Sequence, residues 1–239
     1  MDQRRYTYED FVEIIRTLRS ENGCPWDREQ THMSLRPCIM EEAAETAAAI
    51  RIYDRTGSWE NLREELGDVL LQVVMHSCIA EEEGLFTLED VVSEVAEKMV
   101  RRHPHVFGNV SAETSGQVLQ NWEEIKGQEK EGKKQTETPL REIPLELPAL
   151  TRASKVLKKV DKLYEPQESF AASADRLQAI SSKIREMTPQ NYNEELSDMI
   201  GELLMETSNI SRICKLSQEQ ILTDKIEEII EKYEKTPKL

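Results

Sequence analysis

The chain has 239 residues and a formal charge of −15, with 46 Asp and Glu against 31 Lys and Arg. That length can bury a sizeable core as one large or two small domains, and that charge argues against a general nucleic-acid or membrane-surface binder. Gly and Pro number only nine each and aromatics make up 5%, while Glu, Leu, Ala and Lys recur at helical spacing, so the fold class is predicted to be all-α. No segment approaches the length of a membrane span, and the opening Met1-Asp2-Gln3-Arg4-Arg5 leads into no apolar signal-peptide core. Cys24, Cys38, Cys78 and Cys214 are scattered without metal-ligand spacing, which fits reduced thiols and a cytoplasmic location.

The first predicted helix runs from Tyr8 to Ser20, with Phe11, Ile14, Ile15 and Leu18 on its apolar face and Thr7 as a candidate N-cap. Gly23-Cys24-Pro25-Trp26-Asp27 breaks it with a compact loop, followed by Gln30 and Thr31. Trp26 either plugs an end of the core or offers a stacking surface to a substrate. A second helix begins at Leu35 with Pro37 in its first turn, and carries Glu41, Glu42 and Glu45 among Ala43, Ala44, Ala47 and Ala48. Gly57 and Ser58 supply a turn, and a third helix then carries Glu65 and Asp68.

Glu42 and Glu45 are three residues apart and so share a helix face, as do Glu65 and Asp68. An antiparallel hairpin brings the four acids together. Asp68 lies within Leu66, Val69, Leu70, Leu71, Val73, Val74 and Met75, a run apolar on nearly every side that predicts a buried helix with Asp68 in or beside a core. Carboxylates converging there repel one another and lose hydration unless cations neutralise them. The donors are all oxygen, which suits Mg²⁺, or Mn²⁺ in its place, rather than zinc. His76 is read as an ordinary helix histidine, and Glu60, Glu64, Glu81, Glu82 and Glu83 as a solvated face.

Gly84 ends this helix, and Thr87 with Asp90 reads as a capping box opening the next, through Val91, Val95 and Met99. Its end is basic, with Lys98, Arg101, Arg102 and His103, which either complements the helix dipole or receives phosphate oxygens. His103-Pro104-His105-Val106-Phe107 reads as an extended turn, and Gln117 to Lys126 as a short helix with Trp122 and Lys126 on one face. Residues 127–148 turn polar and read as an interdomain linker between 1–126 and a second helical domain, 149–239. Sliding the chain by 130 positions lays Glu64-Glu65-Leu66-Gly67-Asp68 on Glu194-Glu195-Leu196-Ser197-Asp198, which suggests two copies of one helical hairpin. In the second copy Glu41 and Glu42 become Ala171 and Ala172, and Glu45 becomes Asp175, so any chemistry is assigned to the first.

Glu41-Glu42-x-x-Glu45 followed by Glu65-x-x-Asp68 resembles the signature of the all-α nucleoside triphosphate pyrophosphohydrolases. The Gly23 to Asp27 loop with Gln30-Thr31, Glu65-Leu66-Gly67-Asp68, Arg101-Arg102-His103-Pro104-His105-Val106-Phe107, Trp122 and Lys126 narrow the resemblance to the MazG branch, over about residues 8 to 127. The resemblance implies Mg²⁺-dependent hydrolysis of a ribo- or deoxyribonucleoside triphosphate between its α and β phosphates, and a homodimer built around a four-helix-bundle core. It implies Glu42, Glu45, Glu65 and Asp68 as metal ligands and Glu41 as the group acting on the attacking water. Lys98, Arg101, Trp122 and Lys126 match positions near nucleotide and phosphate, and Arg102 and Trp26 stand beside them as further candidate substrate contacts. Pro148-Ala149-Leu150 and Arg152-Ala153 resemble the opening of the family's second domain, while the loop, the full acidic run and the basic tail are missing there, so this copy reads as degenerate. A nucleotide-binding regulator with little turnover is the alternative, distinguished by binding without pyrophosphate release, and a di-iron helical protein is a third reading.

Overall fold

The computed structural model describes residues 5–131, 138–187 and 194–234, and among these residues the regular structure is helical throughout, without a strand. The chain divides into two compact units, Met1–Gly132 and Lys133–Leu239.

The first unit opens with α1 (Tyr8–Arg19). Its start is fixed by a reciprocal cap in which the Asp10 amide donates to Thr7 Oγ1 at 3.2 Å and the Thr7 amide donates to Asp10 Oδ2 at 3.0 Å. Part of the predicted loop after it is a five-residue helix, α2 (Pro25–Glu29), because Pro25 supplies a pre-set first turn. Gly23 is needed at the bend, where a side chain would collide with the carbonyl oxygens of Thr17 and Leu18.

The hairpin follows as α3 (Arg36–Thr56) and α4 (Glu60–Glu82). Gly57 terminates α3 in the left-handed region, φ 75°, with its amide donating to Tyr53 O at 2.8 Å. The second reciprocal cap, Thr87 with Asp90, opens α5 (Leu88–Arg102). Residues 104–107 form the one-turn helix α6 (Pro104–Phe107) rather than an extended turn, since His103 O accepts from the amides of both Val106 and Phe107. The helix α7 (Ser115–Glu131) runs five residues past Lys126, through Gly127 and then Gln128, Glu129, Lys130 and Glu131, which favour helix.

Val12 and Ile15 of α1, Leu35, Val74, Met75, Cys78 and Ile79 of α4, and Leu88 form the core of this unit. Each of the buried Val, Leu, Ile and Met side chains contributes about 1.5–3 kcal/mol on burial. Arg19 bolts the end of α1 to its neighbours: Nε and Nη2 donate to Glu82 at 2.8 and 2.7 Å, and Nη1 donates to Asp27 O of α2 at 2.5 Å. The core gathers on the C-terminal half of α4 only. The N-terminal half leaves Leu66 and Leu70 exposed, so Asp68 is half-buried at a surface of this unit rather than within an interior. The apolar run predicted burial all round; Leu66 and Leu70 are instead exposed.

The second unit contains α8 (Ala149–Leu163), α9 (Phe170–Glu186), α10 (Glu194–Ile213) and α11 (Gln218–Glu234). Within it, residues 138–148 carry turns, Ile143 is buried, and Lys159 donates to Glu142 at 2.9 Å and to Pro139 O. Ser173 and Ser208 are fully buried beside Asn209, whose amide donates to Ser173 Oγ at 3.0 Å and to Glu168 O at 2.8 Å.

Candidate active site

Two turns of α3 and one of α4 carry the acids. Glu42 on α3 and Glu65 and Asp68 on α4 are half-buried, while Glu41 and Glu45 are exposed. Glu42, Glu45 and Glu65 each place a carboxylate oxygen within 4.8 Å of the other two. The two helices are joined at this level by Thr46 Oγ1, which donates to Glu65 O at 3.3 Å. Asp68 lies outside this set of three yet is close enough to act on it.

The electrostatics are those of like charges held together. Burial, followed by the carboxylates of Asp68, Glu45, Glu41 and Glu65, pushes the Glu42 carboxyl up from its ordinary value. Burial again leads for Glu65, with Glu45, Asp68 and Glu64 adding to it and a hydrogen bond from Asn61 opposing it. No basic side chain is among these causes, so the cluster favours taking up positive charge as protons or as cations. The donor set is oxygen-only: His76, two turns beyond Asp68 on the same helix, is bonded to His32 instead. Three convergent carboxylates with a fourth beside them fit a hard divalent ion such as Mg²⁺ or Mn²⁺.

The basic residues divide. Arg101 Nε donates to Glu129 Oε1 at 2.7 Å, and Arg102 donates to Glu129 Oε2 through Nε at 3.2 Å and Nη2 at 2.6 Å. The Arg102 guanidinium lies 5.1 Å from the centre of the Trp122 ring, and the His103 ring meets the same indole edge-on at 5.0 Å. These contacts gather Arg101, Arg102 and Trp122 of the expected substrate residues into one assembly. Lys98 and Lys126 are half-buried on α5 and α7. Trp26 is exposed on α2 and so does not plug the core, which leaves its ring free as a surface.

Glu129 and Arg19 are the residues that sequence reasoning passed over. Glu129 falls in the Lys- and Glu-rich stretch read as a linker, and its signal was its spacing, seven residues after Trp122 and three after Lys126 on one helix face. Arg19 closes an amphipathic helix where a basic residue is ordinary.

Residues 30–107, from just before α3 through α6, match the model of the MazG nucleotide pyrophosphohydrolase domain. The Thermotoga maritima nucleoside triphosphate pyrophosphohydrolase/pyrophosphatase MazG is 36% identical to this chain over its whole length and 89% of the relative's. The chain belongs to the MazG family. The Escherichia coli K12 nucleoside triphosphate pyrophosphohydrolase is 38% identical over 83% of this chain and 75% of its own length. The Bacillus subtilis protein YabN is 39% identical over 91% of this chain, which spans 44% of that longer protein. The MazG domain match takes in Glu41, Glu42, Glu45, Glu65, Asp68, Lys98, Arg101 and Arg102, and stops before Trp122, Lys126 and Glu129.

Proposed function

We propose that the chain is a Mg²⁺-dependent hydrolase of ribo- or deoxyribonucleoside triphosphates that cleaves between the α and β phosphates, releasing the monophosphate and pyrophosphate. The observation that carries this reading is the convergence of Glu42, Glu45 and Glu65 within 4.8 Å in a family of nucleotide pyrophosphohydrolases. Glu42, Glu45, Glu65 and Asp68 would hold the cations. When bound, Mg²⁺ supplies Lewis acidity toward phosphate oxygens and lowers the pKa of water.

The chain's own groups bind and orient. Glu41, exposed beside Glu42, orients the attacking water and accepts its proton. Lys98 and Arg101 offset negative charge on the phosphates. Mn²⁺ has the same preference for oxygen donors and serves as a substitute.

The chemistry is assigned to the first unit, because Ala171 and Ala172 stand where the first copy has Glu41 and Glu42. The second unit is read as a degenerate copy with a packing or regulatory role. A homodimer is part of the same proposal: Leu66 and Leu70 of α4 and Met40 and Ile50 of α3 are exposed on the hairpin, and a second copy that buries them removes apolar area from water around the acids. Free Cys24, Cys38, Cys78 and Cys214 support a reducing, cytoplasmic setting. No helix among the described residues is long and apolar enough to cross a membrane.

The test is product analysis with a panel of ribo- and deoxyribonucleoside triphosphates and Mg²⁺. Monophosphate plus pyrophosphate is expected, and loss of both in Glu42→Gln. Inorganic phosphate as the product would mean attack at the γ position and overturn the reading, and binding without any product would favour the regulator.

A further inference from the structure

The two arginines that close α5 are used in different ways. Arg102 is 14% exposed and nearly spent: two of its guanidinium nitrogens bond Glu129, and its face packs on Trp122. Arg101 is 53% exposed and gives Glu129 only Nε, so among the described residues nothing engages its two terminal nitrogens. Adjacent residues on a helix point about 100° apart, yet one carboxylate joins both of these side chains. Glu129 and Trp122, two turns apart on the same face of α7, grip Arg102 from its edge and its face.

We propose that Glu129 is a positioning residue, which with Arg102 and Trp122 forms a strut aiming the free edge of Arg101 at the substrate's phosphates, so that Arg101 alone of the pair contacts phosphate. This rests on the proposed pyrophosphohydrolase reading. A guanidinium held at Nε by a carboxylate presents its remaining edge in a fixed direction, and that edge matches two oxygens of a phosphate. The rotamer freedom of Arg101 is restricted before substrate arrives, which lowers the entropic cost of binding. The two guanidiniums hold the Glu129 carboxyl far below its ordinary value, at about 2, so it remains an ionised acceptor throughout the neutral range.

Simple charge arithmetic predicts the opposite sign. Removing a carboxylate beside a phosphate-binding arginine raises phosphate affinity if that carboxylate merely competes for the arginine. The near-isosteric E129Q therefore decides. Steady-state kinetics with Mg²⁺ and the best triphosphate of the panel are compared for the full-length wild type, E129Q, R102K, R101Q and R101Q/E129Q, with circular dichroism confirming equal helix content. Calorimetric binding of inorganic pyrophosphate with Mg²⁺ is measured on the same proteins. We expect E129Q and R102K to raise KM about five- to tenfold with kcat within about twofold, the pattern of lost uniform binding. R101Q is expected to raise KM at least as far, and the double variant no further, because residues acting through one group are not additive. A lower or unchanged KM in E129Q, or full additivity in the double variant, would overturn the proposal. If the wild type releases no pyrophosphate, the enzymatic reading fails by itself. The calorimetry then decides the positioning role: weaker pyrophosphate binding in E129Q supports it, and equal or tighter binding overturns it.

Discussion

The α3–α4 and α9–α10 hairpins share a frame and differ in what they place on it. At an offset of 130 residues, the last residue of α9, Glu186, falls on the last residue of α3, Thr56, and Ile213 at the end of α10 falls one residue past the end of α4. In the second hairpin two arginines each bridge two partners. Arg176 bridges Glu168 and Glu206 at 2.7 and 3.1 Å, and Arg212 joins Asn209 Oδ1 at 2.8 Å to Asp161 at 3.0 Å. In the first, Glu42, Glu45 and Glu65 bring carboxylate oxygens within 4.8 Å of one another, and neighbouring carboxylates raise the pKa of Glu42 and of Glu65. The second hairpin lacks only the counterparts of Glu41 and Glu42 and keeps Asp175, Glu195 and Asp198 at the positions of Glu45, Glu65 and Asp68, and like charge gathered without a counter-ion opposes folding. On the proposed reading, a cation held by the acids of α3 and α4 would offset that repulsion.

The strongest way to break this comparison is to exchange single atoms in the two hairpins. Glu42→Gln removes a charge from the cluster at constant shape and is expected to lower pyrophosphate release by more than about 100-fold, since even outer-shell changes at metal sites cost 10–100-fold. Asp198→Asn, at the position matching Asp68, is expected to leave the rate within about twofold. Equal losses from the two would mean that the second hairpin takes part in the chemistry.

Stability separates the units as well. Ile15 lies in the apolar core of the first, and Ile15→Ala is expected to cost about 2–5 kcal/mol by lost burial and an unfilled cavity. Tryptophan fluorescence during urea unfolding reads that loss, because Trp26, Trp59 and Trp122 are all in the first unit. The second unit buries a polar network beside its apolar side chains, and Asn209→Ala takes a hydrogen bond from Ser173, the Glu168 carbonyl and Arg212, which keeps Asp161. The expected cost is about 1–3 kcal/mol, read by far-ultraviolet circular dichroism. A negligible effect would mean that water replaces the amide and that the network contributes little.

Much of this was legible in the sequence because it is encoded locally. The caps at Thr7 and Thr87, the turn at Gly57 and the i, i+3 acid pairs are each fixed by residues within a few positions of one another. What the sequence left out depends on distant partners. Leu66 and Leu70 read as core by composition, yet their burial depends on what covers α4, and α3 alone does not. Glu129 looks like any glutamate of a polar stretch until Arg101 and Arg102, 28 and 27 residues earlier, are seen to close on it. Arg19 likewise gains its meaning from Glu82, 63 residues on.

His76 is the last such case, and the smallest expected effect. Read as an ordinary helix histidine, it stacks on His32 with ring centroids 5.1 Å apart and planes 2° from parallel, and the two Nδ1 atoms lie 2.8 Å apart. Only one proton fits between those nitrogens, so one ring donates and the other accepts; with both rings protonated, donor would face donor. Burial first, and then the neighbouring His32, push the His76 pKa below its ordinary value. The unfolded chain therefore binds the proton at a higher pH than the folded one. The contribution of His76 is complete above its unfolded value of about 6.5 and is lost as pH falls through the lower, folded one. The fluorescence melting temperature of the first unit is expected to decline between pH 7 and pH 5, and His76→Asn, which keeps a hydrogen-bonding side chain but cannot titrate, is expected to flatten that decline. An identical slope in the variant would assign the acid sensitivity to carboxylates instead. The second hairpin has Glu206 at the position of His76, bonded to Arg176, so a parallel scan of the second unit by circular dichroism should lack this histidine step.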